Sequence, residues 1–317
     1  MEAVILGYGV FFLTLGGVYA LLALGLNVQW GYVGMLNVGI AAFFAVGAYA
    51  SAILTGPADP AHLGGFGLPV WLGMSGAAFF AALLGLAIGL VTLRLRSDYL
   101  AIASIGIAEI VRLVLKNEDW LTNGVRGIAG IPRPFEALWP GNGGLAMLLV
   151  VWGLVFLAFL LNHRAHRSPW GRVLRGIRDN EPAARAMGKN SLAFRLQAFV
   201  LGCAVMGLAG SAYAHFVGFI SPEAFDPVFA TFLVWVMLIA GGSGNNTGAI
   251  LGALLIWGVW SGTEILTGYL PAEVQTQAGA LRVLAIGVLL QAILILRPEG
   301  LLPERPPRPV WRKETSR

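Results

Sequence analysis

Charged side chains are scarce in this sequence. Among its 317 residues, only 12% are Asp, Glu, Lys or Arg, whereas 57% are hydrophobic. A soluble domain carries about 25% charged residues, so half that share leaves too little polar surface to keep a chain of this length in water. The shortage excludes a soluble globular protein and predicts that lipid covers much of the surface, as in a multi-spanning membrane protein.

Cysteine and lysine are also scarce. The single cysteine, Cys203, lies in an apolar run, which excludes an intramolecular disulfide and predicts a small buried side chain. The three lysines, Lys116, Lys189 and Lys313, follow no glycine-rich loop, so the sequence contains no phosphate-binding loop for ATP. It also contains no nucleophile elbow, no HExxH motif and no metal-ligand spacing. We therefore predict a chain that is not an enzyme and holds no cofactor or metal ion of its own.

Long apolar runs dominate what is present. Spanning about 30 Å of hydrocarbon takes about 20 helical residues, because backbone polar groups in lipid must pair within the segment. The sequence therefore predicts an all-α bundle with eight to ten transmembrane spans. A broken or re-entrant helix is expected at the second run, which contains Asn37, or at the short seventh run. The nine runs are residues 3–26, 36–54, 68–93, 99–115, 145–161, 193–217, 228–240, 248–266 and 278–296.

Basic residues predict the orientation, since cytoplasmic loops of membrane proteins carry an excess of Lys and Arg. Residues 163–195 hold eight Lys or Arg side chains against two acidic ones, and residues 303–317 hold five more. Four runs separate these segments, so both fit the cytoplasmic side. We predict an N-terminus outside and a C-terminus inside. The transmembrane domain covers residues 1–302 with a cytoplasmic loop at 163–192, and 303–317 form a cytoplasmic tail. Because topology explains the arginines, no nucleic-acid partner is expected.

The basic loop contains the signals of a short helix. Asn180 is a good N-cap, Pro182 is tolerated in a first helical turn, and Gly188 ends the alanine-rich stretch between them. On these residues alone, two interpretations stay open. The helix either rests on anionic lipid headgroups or docks on a cytoplasmic partner.

Polar residues inside the apolar runs are the other candidates for function, because charges in lipid are costly. Glu109 and Arg112 lie three positions apart in the fourth run. Either they pair and neutralise each other, or they line the substrate route. Asn27 and Asn37 either line a polar path or hydrogen-bond between helices.

Two glycine-rich segments, residues 31–34 and 241–244, precede the second and eighth runs. Gly241 and Gly242 belong to the second segment, which lacks the lysine of a phosphate-binding loop. We interpret it as a tight turn or a broken helix end that lines the pathway.

A family resemblance follows from the basic loop. Residues 171–190 resemble the coupling loop of ABC importer permeases, whose short helix docks on an ATPase subunit. The match consists of Glu181, Ala183, Ala184 and Gly188, with Pro182 inserted. Five further segments are similar to the branched-chain amino acid permease family of these importers, so that the resemblance covers most of residues 20–302. They are residues 25–54, 96–115, 121–132, 193–225 and 297–301.

The resemblance implies a permease subunit of an ABC importer for branched-chain or other small amino acids in a bacterial inner membrane. Its implied partners are two ABC ATPases that bind the ATP, a second homologous permease and an extracytoplasmic substrate-binding protein. Relatives in the same branch move urea or short amides. A secondary transporter coupled to an ion through Glu109 is the alternative class. The implied coupling surface consists of Arg178, Asp179, Glu181, Ala183, Ala184, Arg185 and Gly188.

Overall fold

The computed structural model of the chain describes residues 2–60, 62–95, 97–135, 143–226, 228–267 and 278–304, so most of the predicted tail lies outside the described residues. These residues are mostly helical, with two short antiparallel strands, β1 (Ile128–Ala129) and β2 (Phe219–Ile220). The helices are α1 (Glu2–Leu26), α2 (Ile40–Thr55), α3 (Val70–Thr92), α4 (Ser97–Asn117), α5 (Asp119–Thr122), α6 (Gly143–Arg167), α7 (Pro169–Asp179), α8 (Glu181–Ala186), α9 (Ser191–Val217), α10 (Leu233–Gly241), α11 (Asn246–Thr267) and α12 (Ala278–Leu296).

Each of the nine apolar runs coincides with a helix, because a helix satisfies its backbone hydrogen bonds internally. Six of these helices, α1, α3, α6, α9, α11 and α12, are long and apolar enough to cross a membrane. The 21-residue α4 is long enough but carries more charge, whereas α2 and α10 are shorter. The prediction of a polytopic all-α membrane protein is confirmed.

The second run is broken, as expected. α1 continues into a π-helical turn, Asn27–Gly31, and residues 34–39 then run without helix before α2 begins. Lipid offers no hydrogen bonds, so the backbone of this stretch needs partners within the protein. One such partner is the Ser104 hydroxyl, which accepts from the Val38 N–H at 2.9 Å. α2 therefore starts inside the bundle.

The seventh run is broken in a similar manner. A π-helical turn, Val228–Phe232, leads into α10, and the N-terminal parts of α2 and α10 meet. The Trp235 indole donates to the carbonyl oxygen of Asn37 at 2.9 Å, and the Ala41 N–H donates to the Thr231 hydroxyl at 3.2 Å. The two short helices run from this meeting point toward opposite faces, α2 toward the loop that bonds to Trp120 and α10 toward the turn covered by Leu301. Both are shorter than the six candidate spans.

α9 is the central helix and packs against α1, α2 and α3. Glycines allow its backbone to touch that of α2. Gly207 lies against Gly47, and Gly210 lies against the carbonyl oxygen of Phe44. Lipid tails are as apolar as the helix side chains, so the hydrophobic effect does not drive helices together within the membrane. Close packing of this kind drives their association instead. Cys203 is fully buried on α9, as predicted.

The arginine-rich segments gather at one face of the bundle, which we call the basic face and define by residues 163–195. Arg94, after α3, shares a cavity there with Arg178 of α7, and Glu304 lies 2.8 Å from Arg178. The loops after α2, α4 and α9 lie at the opposite face, where backbone hydrogen bonds join them. Residues 163–195 and Glu304, at the start of the predicted tail, therefore lie at the same face, and Arg94 lies there with them. That the basic face is cytoplasmic stays a prediction from the arginine count.

Candidate functional site

The short helix predicted in the basic loop is α8. The Ala183 N–H donates to the Asn180 side-chain oxygen at 3.0 Å, and Pro182 occupies the first turn, where its missing N–H costs no helical hydrogen bond. Gly188 follows the helix with φ +77°, a left-handed conformation that glycine adopts without strain. These signals act within single turns, so the sequence predicts the ends of α8 correctly.

A second helix on the basic face, α7, lies outside the sequence prediction. The Ser168 hydroxyl accepts from the Gly171 N–H at 3.4 Å, and Pro169 follows at the first helical position. Leu174 and Ile177 lie three apart and are buried. A Ser-Pro start followed by apolar residues at this spacing is typical of an amphipathic helix, so the signal was present in the sequence.

Glu181 ties α8 to the start of α9. Its carboxylate accepts from Arg185 Nη2 at 2.7 Å and from the Ser191 hydroxyl at 2.8 Å, and Arg195 lies 3.7 Å away. Hydrogen bonds to charged groups are stronger than neutral ones. They therefore hold α8 in a defined orientation on the bundle.

Part of the predicted coupling surface faces out of the chain. Ala183, Arg185 and Gly188 are exposed, whereas Ala184 is 3% exposed and packs inward. Met187, which the sequence prediction omits, is 73% exposed. Burying a large apolar side chain stabilises a protein by about 1.5–3 kcal/mol relative to leaving it in water, so a partner that covers Met187 would gain this free energy. We call Ala183, Arg185, Met187 and Gly188 the α8 surface.

Arg178 connects α7 with the bundle beneath it. Its guanidinium donates to the Gly31 carbonyl oxygen after α1, to Glu304 Oε2 at 2.8 Å and to Asp179 Oδ1 at 3.1 Å. Partial burial opposes its charge, but the hydrogen bonds and charges of Glu304 and Asp179 outweigh this effect and raise the pKa of Arg178. A displacement of α7 would therefore pull directly on the turn that follows α1.

Removing the Glu304 carboxylate should loosen α7. Arg178 and Glu304 are only 25% and 22% exposed. A hydrogen bond to a charged group contributes about 1.5–3 kcal/mol, so we expect Glu304→Ala to raise amide hydrogen exchange in α7 by about tenfold or more. The matched control is Glu299→Ala, which changes an exposed glutamate after α12. Unchanged exchange in Glu304→Ala, or an equal rise in both variants, would contradict this linkage.

Asn27 and Asn37, predicted as pathway candidates, lie in the packed interior and are 0% exposed. Asn27 donates to Asn246 Oδ1 at 2.9 Å and accepts from the Gly244 N–H at 2.8 Å. Asn37 donates to Gln29 Oε1 at 2.8 Å. The structure thus favours the alternative in which these amides hydrogen-bond between helical segments.

Gly241 and Gly242 form a tight turn between α10 and α11. Both are buried, and Gly242 has φ +111°, a conformation that side chains disfavour. The Leu301 N–H donates to the last turn of α10 at 2.9 Å, so the C-terminal segment covers this turn. The structure favours a turn over a lining of the pathway. The two glycine-rich segments also touch each other, at Gly31 and Gly244.

Glu109 and Arg112 pair on α4 through hydrogen bonds of 2.9 and 2.6 Å. Arg112 also lies 3.8 Å from Glu223, which accepts from Lys116 at 2.9 Å. The Lys116 hydrogen bond lowers the pKa of Glu223. This network joins α4 to the segment after α9 at the opposite face. The Glu109 side chain is 40% exposed, so part of this pair lies on the surface of the chain. Asn27 and the glycine turn, by contrast, are buried.

The structure is that of a multi-pass helical membrane protein. It has six long apolar helices, the two short helices α2 and α10, and an exposed α8 on the basic face. Within this class, residues 8–296 match the family described as the permease component of branched-chain amino acid transport systems. The chain belongs to this family.

Its relatives include two kinds of permease protein. The high-affinity branched-chain amino acid transport system permease protein LivM of Escherichia coli strain K12 is 33% identical over 93% of this chain and 70% of its own length. The LivH protein of the same strain is 28% identical over 91% of this chain and 92% of its own. The probable LivM of Methanocaldococcus jannaschii is 28% identical over 92% of each chain. No solved structure matches the chain.

Proposed function

We propose that this chain is a permease subunit of an ABC importer for branched-chain or other small amino acids. The observation that carries this proposal is the α8 surface, with Met187 73% exposed on the basic face. Glu181 holds α8 on α9, and Arg178 joins α7 to the end of α1. A subunit that receives force from a partner needs such a rigid and connected contact. The names of the E. coli relatives support the substrate class.

The proposed partners are two ABC ATPases, a second homologous permease and an extracytoplasmic substrate-binding protein. LivM and LivH relatives carry the same system name, which supports the pairing of two related permeases. ATP binds to the ATPases in this proposal. The proposed coupling surface consists of Arg178, Asp179, Glu181, Arg185 and Gly188 together with Ala183 and Met187, and Ala184 packs beneath it.

Closure of the ATPases would displace α7 and α8 together. Arg178 donates to the Gly31 carbonyl, and Gly31 touches Gly244, so the displacement reaches the segments that start α2 and α11. α2 and α10 meet inside the bundle, where a small shift of either helix changes access from one face to the other. The Glu109–Arg112 pair on the partly exposed side of α4 is our candidate for lining the route shared with the second permease.

An ion-coupled secondary transporter has less support. It needs a carboxylate that is free to bind the coupling ion, whereas Glu109 accepts two hydrogen bonds from Arg112. A permease for urea or short amides would keep the same coupling parts. It would differ in the substrate that the binding protein delivers.

Reconstitution tests the proposed function. Proteoliposomes that contain all four kinds of subunit, with ATP in the lumen, should take up leucine after an uncoupler has removed the proton gradient. Vesicles with this chain alone, or with ATPases lacking the phosphate-binding lysine, are the controls and should take up none. Uptake by this chain alone would contradict an ABC importer. Uptake of urea instead of leucine by the complete set of subunits would support the ABC importer but contradict the proposed amino acid substrate.

A further inference from the structure

A cavity of ≈ 560 Å³ lies on the basic face, between α8 and the end of α3. Four arginines line it, and each comes from a different segment of the chain: Arg94 after α3, Arg178 on α7, Arg185 on α8 and Arg195 on α9. Glu181 is the one carboxylate among the lining residues that the structure describes. The fold therefore brings together arginines that are up to 101 positions apart in the sequence, from Arg94 to Arg195.

The positive charge of this cavity is not balanced by the described residues. Arg178 is paired with two carboxylates outside the lining. Arg185 and Arg195 share Glu181, at 2.7 and 3.7 Å. Arg94 has no ion-pair partner within the described part of the chain. Three guanidinium groups thus face one carboxylate, and an anion that enters the cavity would relieve their repulsion.

Apart from Gly34, the remaining lining is aliphatic, and part of it follows the end of an apolar helix. α3, which is long and apolar enough to cross a membrane, ends at Thr92, and the cavity begins at the next residue. We therefore infer that the cavity lies where this span leaves the hydrocarbon. Arginine beside aliphatic side chains at this depth suits a molecule with a phosphate group at one end and an acyl chain at the other. The aliphatic lining residues are Val33, Leu93, Leu95, Ile177 and Leu192.

We propose that this cavity binds the phosphate headgroup of an anionic phospholipid. The phosphodiester supplies the counter-charge that Arg94 lacks and that Arg185 and Arg195 obtain only by sharing Glu181. The glycerol and first methylenes contact the aliphatic lining. A soluble phosphate would satisfy the same guanidinium groups but would leave that lining in water. The lipid would sit between α8 and the bundle. Its binding does not depend on the proposed transport function.

The site can be tested on the full-length chain, purified in mild detergent with the subunits that accompany it. Binding of dioleoyl phosphatidylglycerol, dioleoyl phosphatidylcholine and inorganic phosphate is measured by native mass spectrometry and by the shift of the melting midpoint. Loss of one hydrogen bond to a charged group should weaken phosphatidylglycerol binding about tenfold in Arg94→Gln and in Arg195→Gln. Arg172→Gln is the matched control, because Arg172 is exposed on α7 and outside the cavity.

The lipid proposal requires that wild type and Arg172→Gln prefer phosphatidylglycerol over phosphatidylcholine and that the two cavity variants lose this preference. Arg195→Lys, which keeps the charge, should retain most of the binding. Equal phosphatidylglycerol binding by all variants would overturn the proposal. Binding of inorganic phosphate without a preference for phosphatidylglycerol would overturn the lipid assignment. Because the readout is binding, a failure of leucine transport would leave this result unaffected.

Discussion

Replacing Met187 with lysine should abolish import while leaving the chain folded. Met187 is 73% exposed just after α8, so little packing within the chain is lost. If the side chain is an anchor in the ATPase interface, burying a lysine there should cost about 2–4 kcal/mol, which corresponds to at least about 30-fold weaker association. The measurements are co-purification of the ATPase subunits and leucine uptake by the reconstituted importer.

The control for this experiment is Met187→Leu, which keeps an apolar side chain of similar size. It should associate and transport as the wild type does. Equal melting midpoints of the two variants would show that folding is intact. Full transport by Met187→Lys would show that α8 is not part of the coupling surface. Loss of transport without loss of association would show that Met187 acts in a step that follows docking of the ATPases.

Adding one methyl group at Gly47 should destabilise the bundle strongly. An alanine Cβ there would overlap the backbone of Gly207, which has no flexible side chain to move aside. α2 and α9 would have to separate at the centre of the core. Overpacking of this kind costs about 1–3 kcal/mol or more, so Gly47→Ala should lower the melting midpoint and the yield of monodisperse protein.

Gly153→Ala is the matched control, since it makes the same change within α6. A Cβ at Gly153 would meet nothing within 4 Å among the residues that the structure describes. Alanine is about 1 kcal/mol better than glycine inside a helix, so this variant should be neutral or slightly stabilised. Equal melting midpoints for the two variants would contradict the close contact of α2 with α9.

Much of the fold could be predicted because the membrane imposes it on local sequence. Apolar runs in lipid must be helical, and each of the nine runs contains a helix. The break at Asn37 was expected from polar and glycine residues within the second run. The partners of this stretch, such as Ser104 and Trp235, could not be predicted, because they come from distant helices.

The candidate site, too, could be predicted only in part from the sequence. Asn180 and Pro182 predict the start of α8, and Gly188 predicts its end to within two residues, since capping depends on neighbours within one turn. The same pattern could not show that Ala184 faces inward and Met187 outward, because that depends on how α8 packs on α9. α7 could have been predicted from Ser168-Pro169 and the apolar residues that follow.

Composition, apolar run length and arginine placement by themselves determined that this chain is a helical membrane protein with one basic face. These properties depend on solvation and on interactions within a few residues. Only the tertiary structure decided that Asn27 and Asn37 belong to the packed interior, that Arg178 reaches Gly31, and that Arg94 and Arg195 line one cavity. The reason is that these groups are far apart in the sequence. Arg178 and Gly31 are 147 positions apart, and which distant groups meet depends on how all the helices pack together.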